Sequence, residues 1–291
     1  MIQGCKNPLR KQLSWIFAYL RGNRAGERAE RTIMIITKIL IKLLFPGSCP
    51  VCGEVQEQLL TDDGIARICP DCEKKLKRVS QPFCMRCGKP LEEDRVRREY
   101  CGDCVKGTHA FLQGRAVFVY RGAIIGSMHR LKYGNRRDYA AIFAREAYET
   151  YAAWIRRISP DALIPIPLHP KRRRERGYNQ AQLIAEALAE LTGIPVEKKL
   201  LLRTVYTDPQ RKLNARERKN NLKNAFQMSK KIVQLEKVLL IDDIYTTGST
   251  VDAAAETLMS AGVKKVYVLC ICIGGGDGGG LDNGSKSLQN M

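Results

Sequence analysis

Val238-Leu-Leu-Ile-Asp-Asp-Ile-Tyr-Thr-Thr-Gly-Ser-Thr250 is the stretch on which the reading of this chain turns. The run Val238 to Ile241 is too short for a helix and wholly aliphatic, which predicts a buried parallel strand ending at Asp242 and Asp243. Two carboxylates then stand at a strand's carboxyl edge. The small, hydroxyl-rich residues Thr246, Thr247, Gly248, Ser249 and Thr250 follow and open a helical pattern from about Val251 to Ala261. Free backbone N–H groups and the helix dipole at such a start favour a phosphate, and hydroxyls add further donors. An acid pair followed by a phosphate-binding turn suits a sugar phosphate: carboxylates accept from two ribose hydroxyls while the turn holds the 5′-phosphate. The spaced glycines followed by Lys and Ser or Thr of a Walker-type loop are absent.

Ile241 to Thr250 resembles the motif for phosphoribosyl pyrophosphate (PRPP) in type I phosphoribosyltransferases, matching at both acids and through the Thr-Thr-Gly-x-Thr core. The plain alternative is an ordinary strand, turn and capped helix of some other α/β domain.

The chain has 291 residues and 44% hydrophobic content, room for one sizeable core and one small module, and it is neither a disordered nor a membrane chain by composition. Lys and Arg number 49 against 30 acids, a formal charge of +19. Polyanions such as nucleic acid or pyrophosphate are suitable partners for that charge, which does not choose between them.

Eight of the eleven cysteines fall into Cys-x-x-Cys pairs: Cys49/Cys52, Cys69/Cys72, Cys84/Cys87 and Cys101/Cys104. The pattern repeats, because Cys49-Pro-Val-Cys-Gly53 then Cys69-Pro-Asp-Cys72 is echoed by Cys84-Met-Arg-Cys-Gly88 then Cys101-Gly-Asp-Cys104. Its simplest reading is two tandem four-cysteine zinc ribbons over residues 47–107, each closing a tetrahedral and therefore structural site. Crossed pairing between the halves stays open, as do an iron–sulfur cluster and redox-active disulfides. A module this small needs its metal to fold. Reduced thiolates without a convincing secretory signal point to the cytoplasm. Of the remaining cysteines, Cys270 and Cys272 lie in an apolar run and read as buried small hydrophobes.

From residue 110 to 273 the pattern alternates strand and helix, which predicts a parallel, doubly wound α/β sheet. Gly114 to Tyr120 and Ala162 to Pro167 read as strands, as does Lys265 to Ile273, while Ile124 to Tyr133, Asp138 to Ile158 and a segment ending near Leu191 read as helices. Ligands of such sheets lie beyond the strands' carboxyl ends. That rule places the basic loop Lys171-Arg-Arg-Arg-Glu-Arg-Gly-Tyr-Asn-Gln180 near the acid pair, where its Lys and Arg side chains suit a magnesium-bound pyrophosphate; Arg174 and Arg176 are candidates, and which arginine makes contact stays open. The competing reading is a solvated charged loop. A second basic segment, Arg203 to Phe226, contains a loop around Asp208-Pro209 and a candidate cap at Asn214; it reads either as a closing lid or as an exposed loop facing DNA.

Residues 1–30 read as a disordered extension, with Met34 an alternative first residue, and 31–46 as a short basic apolar helix. Lys38 and Lys42 interrupt that run, so it is too short and too charged to span a bilayer or to serve well as a signal peptide. It suits packing on the ribbons or touching a membrane surface. Residues 274–291 are glycine-rich and read as a disordered tail. His109, His129 and His169 are isolated in sequence. His109 reads as a surface residue, and only His169 lies beside the basic run, in the expected pyrophosphate loop.

Knuckles followed by a PRPP-type domain resemble the ComF family, phosphoribosyltransferase-like proteins linked to bacterial competence. The resemblance runs from about Leu43 to Ile273 and is carried by the four knuckles, Pro165-Ile-Pro-Leu-His169 and Arg176-Gly-Tyr-Asn-Gln180, where Phe is usual in place of Tyr178. Arg203-Thr204, Gln210, Leu213, Arg216, Asn221-Leu-Lys-Asn-Ala-Phe226 and the acid-pair motif complete it. It implies a type I phosphoribosyltransferase fold behind a double zinc ribbon, with Asp242 and Asp243 on ribose hydroxyls, Thr246 to Thr250 on the 5′-phosphate and Arg176 near a magnesium-bound pyrophosphate. It also implies a cytoplasmic role in DNA uptake, in contact with the membrane uptake machinery, a competence helicase or other DNA-processing proteins. Two readings follow: a transferase acting on an unidentified acceptor, and a non-catalytic competence module that binds single-stranded DNA or senses PRPP.

Overall fold

The computed structural model describes residues 47–55, 66–91, 99–107, 109–205, 225–229 and 234–275. Cys5, the expected extension 1–30, the helix 31–46, Asp208-Pro209 with the Asn214 cap, and the tail beyond 275 lie outside the described residues. The chain divides into two units. The first comprises residues 1–48 and 54–66, and within it Ser48 and Val55 form an antiparallel bridge. The second comprises residues 49–53 and 67–291, and everything below belongs to it.

Its elements in chain order begin with two short helices, α1 (Pro70–Glu73) and α2 (Gly102–Lys106), each starting directly after a cysteine. Then come β1 (Gln113–Val119), α3 (Ala123–Tyr133), α4 (Tyr139–Ile158), β2 (Ala162–Pro165), α5 (Pro170–Arg176) and α6 (Gln180–Thr192). A short antiparallel pair, β3 (Leu201–Arg203) with β4 (Phe226–Met228), precedes β5 (Lys237–Tyr245), α7 (Ser249–Ser260) and β6 (Lys265–Ile273).

The expected parallel α/β sheet is present: four strands lie in the order β1-β6-β5-β2, all parallel. Central strands β5 and β6 are aliphatic on both faces because helices cover both. Val238, Leu240, Val266, Val268 and Cys270 pack with Val251, Ala254, Ala255 and Leu258 of α7. The alternate residues Leu239, Ile241 and Leu269 are equally buried on the reverse face, where α4 and α6 pack. Burying each such side chain contributes about 1.5–3 kcal/mol, so this double-sided layer dominates the core.

β5 differs from its expected end. The strand continues through both acids to Tyr245, pairing Asp242 with Cys270 and Tyr245 with Ile273. The apolar run Cys270 to Ile273 in β6 supplies backbone partners beyond the point where the aliphatic run of β5 stops. Cys270 and Cys272 are buried as expected, and burial pushes both thiols well above their ordinary range.

Candidate functional site

The aliphatic half of β5 anchors the strand, and the next two residues carry charge to its carboxyl edge. Asp243 forms an ion pair with Lys132, Oδ2 to Nζ 2.9 Å, with the two side chains only 14% and 20% exposed. Burial opposes both charges, yet the proximity of the partner holds Lys132 above the ordinary lysine value and Asp243 below the ordinary carboxylate value. Asp242 has no such cation against it: burial, reinforced by the Asp243 charge, pushes its carboxyl up to about 8. Its Oδ1 accepts from the backbone N–H of Asp243 at 2.8 Å. Burial and the neighbouring charge thus favour the neutral form of Asp242, while Lys132 favours the charged form of Asp243.

After Tyr245 the chain turns at Gly248, whose φ of +81° belongs to the left-handed region that favours glycine. Space adds a second demand, since a Cβ there would collide with the Tyr245 hydroxyl and approach His109 Cε1 to 3.2 Å. Gly248 caps α7, its carbonyl accepting from the Asp252 N–H at 2.8 Å, and the Thr247 and Ser249 hydroxyls lie 3.0 Å apart. Thr246 is exposed and Thr250 half-buried in the first turn of α7. Backbone N–H groups and hydroxyls thus gather at one helix start, the arrangement an anion requires.

His109 corrects the expectation of a surface histidine. Its side chain is 9% exposed, Nδ1 lies 2.8 Å from Asp252 Oδ2, and the ring stacks on Phe111 with centroids 4.7 Å apart. Asp252 Oδ1 also accepts from the Ala110 N–H at 3.1 Å. A carboxylate in the first turn of α7 draws the imidazole inward, and a spacing of five residues after Cys104 gives no hint of that partner. The other two histidines are peripheral: His129 is exposed on α3, and His169 caps α5 by accepting from the Lys171 N–H at 3.2 Å.

The basic segment is also corrected, from a loop to the helix α5. Pro170 at its first position and the His169 cap start it, and Gly177 at φ +77° stops it. Arg174 is exposed on this helix. Arg176 is half-buried and oriented: it donates to the Tyr133 hydroxyl at 2.9 Å and to Gln180 Oε1 at 3.1 Å, with its guanidinium 4.8 Å from the centre of the Tyr133 ring. Its positive charge also helps to hold Asp243 ionised.

Sequence reasoning missed the last turn of α3. Lys132 reaches Asp243, the Leu131 carbonyl accepts from the Tyr178 hydroxyl at 2.6 Å, and Tyr133 receives Arg176. A lysine in the last turn of a helix is what the helix dipole alone would favour, so nothing in the pattern marked it as part of a site. Arg203, on β3, is a further basic residue near the edge; burial depresses its pKa, with Arg172 adding to the effect and Asp242 opposing it.

The eight knuckle cysteines gather as two groups in sequence order, Cys49/Cys52/Cys69/Cys72 and Cys84/Cys87/Cys101/Cys104, with the sulfurs of each group within 4.8 Å of one another. Crossed pairing is excluded. Four thiols converging on one point fit a tetrahedral ion with no open position, which is the donor set of structural zinc. In the first group Cys52 is exposed and the other three are buried; in the second all four are buried.

The groups attach differently. The second lies in the core cluster with Phe111, Tyr245, Val268 and Ile273. Beside it, Arg115 is buried with its guanidinium 4.7 Å from the Phe83 ring centre. The first makes polar contacts with the helices: Arg130 Nη2 donates to the Pro50 and Val51 carbonyls at 2.8 and 2.6 Å, and Arg78 joins Glu73 of α1 to Glu146 of α4.

Known proteins fit this arrangement. A double zinc ribbon domain model matches residues 40–105. Competence protein F of Haemophilus influenzae is 32% identical over 210 residues, 69% of this chain and 88% of that protein. The chain belongs to the ComF family. DNA utilization protein YhgH of Salmonella typhimurium is 32% identical over 79% of this chain and 98% of its own length, and competence protein ComFC of Bacillus subtilis is 29% identical over 67% and 79%. The purine phosphoribosyltransferase of Pyrococcus horikoshii superposes with a TM-score of 0.29 at 17% identity, over 45% of this chain and 72% of that one, too weak a likeness to argue from. Among the described residues of this ComF-family chain no helix is long and apolar enough to cross a membrane.

Proposed function

We propose that this ComF-family chain binds PRPP with magnesium at the carboxyl edge of β5 and transfers the phosphoribosyl group to an acceptor during DNA uptake and natural transformation. The observation that carries the reading is the acid pair and a glycine-pinned turn within one strand-turn-helix unit, with Lys132 of α3 brought against Asp243. Asp242 and Asp243 accept from the ribose hydroxyls, and the N–H groups and hydroxyls of Thr246 to Thr250 receive the 5′-phosphate. Arg174 and Arg176 face the pyrophosphate. The acid pair is also the oxygen donor set that would hold magnesium, a hard cation that neutralises departing pyrophosphate oxygens. In transfer, the bond from the anomeric carbon to the pyrophosphate oxygen breaks and its electron pair leaves with pyrophosphate. The acceptor's lone pair then forms the new bond at that carbon. Asp243 lies next to the developing positive charge and stabilises it. The relatives named for competence and DNA utilization support the DNA-handling setting.

One observation favours a second reading, a PRPP-sensing or single-stranded-DNA-binding module without catalysis. Among the described residues His109 is engaged by Asp252, His129 is on an exposed face and His169 caps a helix, so no histidine stands at the acid pair as general base.

Calorimetric titration of zinc-loaded protein with PRPP and magnesium, with the Asp242→Asn/Asp243→Asn double variant as control, separates the possibilities. Binding lost in the control supports the ribose-phosphate site, and release of pyrophosphate on adding single-stranded DNA or nucleobases distinguishes transferase from sensor. Equal heats from wild type and control would remove the acid pair from the account.

A further inference from the structure

The first ribbon and the acid pair meet on one helical turn. Arg130 donates twice from a single nitrogen to the carbonyls of Pro50 and Val51, the two residues between Cys49 and Cys52. Two residues later Lys132 carries the cation that fixes Asp243. Both carbonyls belong to the loop that a bound ion would hold in shape, because the flanking cysteines are its ligands. Without the ion nothing tetrahedral constrains that loop, and the arginine's two acceptors lose their fixed spacing. The helix end that Arg130 anchors then also loosens at Lys132.

We propose that Arg130 is a positioning residue through which the metal in the first ribbon sets the affinity of the acid-pair site for its ligand. The inference rests on the PRPP reading given above and adds to it a dependence of ligand affinity on the first metal. Direction follows from exposure: Cys52 is exposed whereas the second group is wholly buried, so the first ion is the one that leaves more readily. Zinc scarcity would therefore weaken substrate binding before it unfolds the sheet. Linkage makes the coupling reciprocal, so ligand binding must raise first-ribbon zinc affinity by the same factor that zinc raises ligand affinity.

The test uses full-length protein loaded with two zinc equivalents and a zinc-selective chelator at equilibrium, with and without PRPP and magnesium. The expected result in wild type is tighter retention of the weaker zinc equivalent by roughly tenfold when PRPP is present, with PRPP affinity falling by the same factor once that equivalent is removed. In Arg130→Ala and in Arg130→Met, which keeps the apolar stem, zinc retention becomes the same with and without PRPP. A merely structural role for Arg130 would lower zinc retention equally in both conditions and leave the ratio intact, which would overturn the proposal. So would PRPP binding in wild type that leaves zinc retention unchanged, a result that needs no variant to fold. Failure of wild type to bind PRPP at all sinks the functional reading and this inference with it, whereas coupling that is lacking despite binding sinks the inference alone.

Discussion

The two zinc ribbons repeat each other in sequence, yet they make different side-chain contacts with the α/β domain and stand near different ends of the site. Cys84, Cys87, Cys101 and Cys104 are buried in the same apolar cluster as Phe111 and Tyr245, and Tyr245 with His109 forms the surface against which Gly248 turns. The first group is attached through Arg78 and Arg130, by ion pairs and carbonyl acceptors, and Arg130 shares its helical turn with Lys132. One ribbon stands behind the Gly248 turn and the other behind the acid pair. Apolar attachment makes a ribbon part of the core, whereas polar attachment leaves it separable and sensitive to its metal.

The strongest test of that contrast is removal of each metal site in turn. Cys84→Ser or Cys101→Ser should abolish cooperative folding of the whole second unit, because structural zinc supplies about 10–16 kcal/mol of folding free energy, comparable to or larger than a domain's net stability of about 5–15 kcal/mol. Loss of the thermal transition in circular dichroism is the readout. Cys52→Ser should leave that transition in place at a lower temperature and reduce PRPP affinity roughly tenfold. If both variants unfold alike, the contrast between the ribbons is wrong.

Gly248→Ala asks what the second ribbon's side of the site contributes. Strain at positive φ costs on the order of 1–3 kcal/mol, and the collision with Tyr245 adds to it. We expect PRPP affinity to fall by about tenfold to a hundredfold with zinc content unchanged at two equivalents. Retained affinity in calorimetry would show that the turn does not hold the phosphate.

The smallest expected effect is a pH profile on the first ribbon's side. Asp242 has a folded-state pKa raised to about 8, so the stability it contributes is fully present below its unfolded value near 4 and is lost as pH rises through about 8. Melting temperatures of wild type and Asp242→Asn should diverge across that window, the wild type losing ground toward alkaline pH. PRPP affinity should run the opposite way, rising toward pH 8 as the carboxylate able to accept from ribose is unmasked. Parallel trends in the two measurements would remove Asp242 from ligand contact.

Legibility followed the range of the physics involved. β5, α7 and β6 could be read from aliphatic runs and a hydroxyl-rich turn because strand and helix patterns are local. The eight ligands could be read because a Cys-x-x-Cys spacing is itself a statement about one ion. Sequential pairing of the halves is the simplest reading of the repeat, which by itself leaves crossed pairing open; the burial of His109 and the continuation of β5 to Tyr245 were not legible, since each is decided by a partner farther along the chain: Asp252 for His109, Ile273 for Tyr245. The basic segment was misread as a loop although its punctuation, Pro170 and Gly177, was in view; its run of charge outweighed two local signals that should have prevailed.

By itself the sequence determined an α/β domain with an acid pair before a hydroxyl-rich turn, and two sets of four cysteines fit to hold two ions, because those features depend on residue type at short spacing. Only the tertiary structure decided which cation faces Asp243, why the Asp242 carboxyl is pushed upward, and which ribbon stands behind which end of the site. Those depend on burial and on contacts between residues far apart in the chain, where Coulomb interaction and desolvation act through space and leave little local trace.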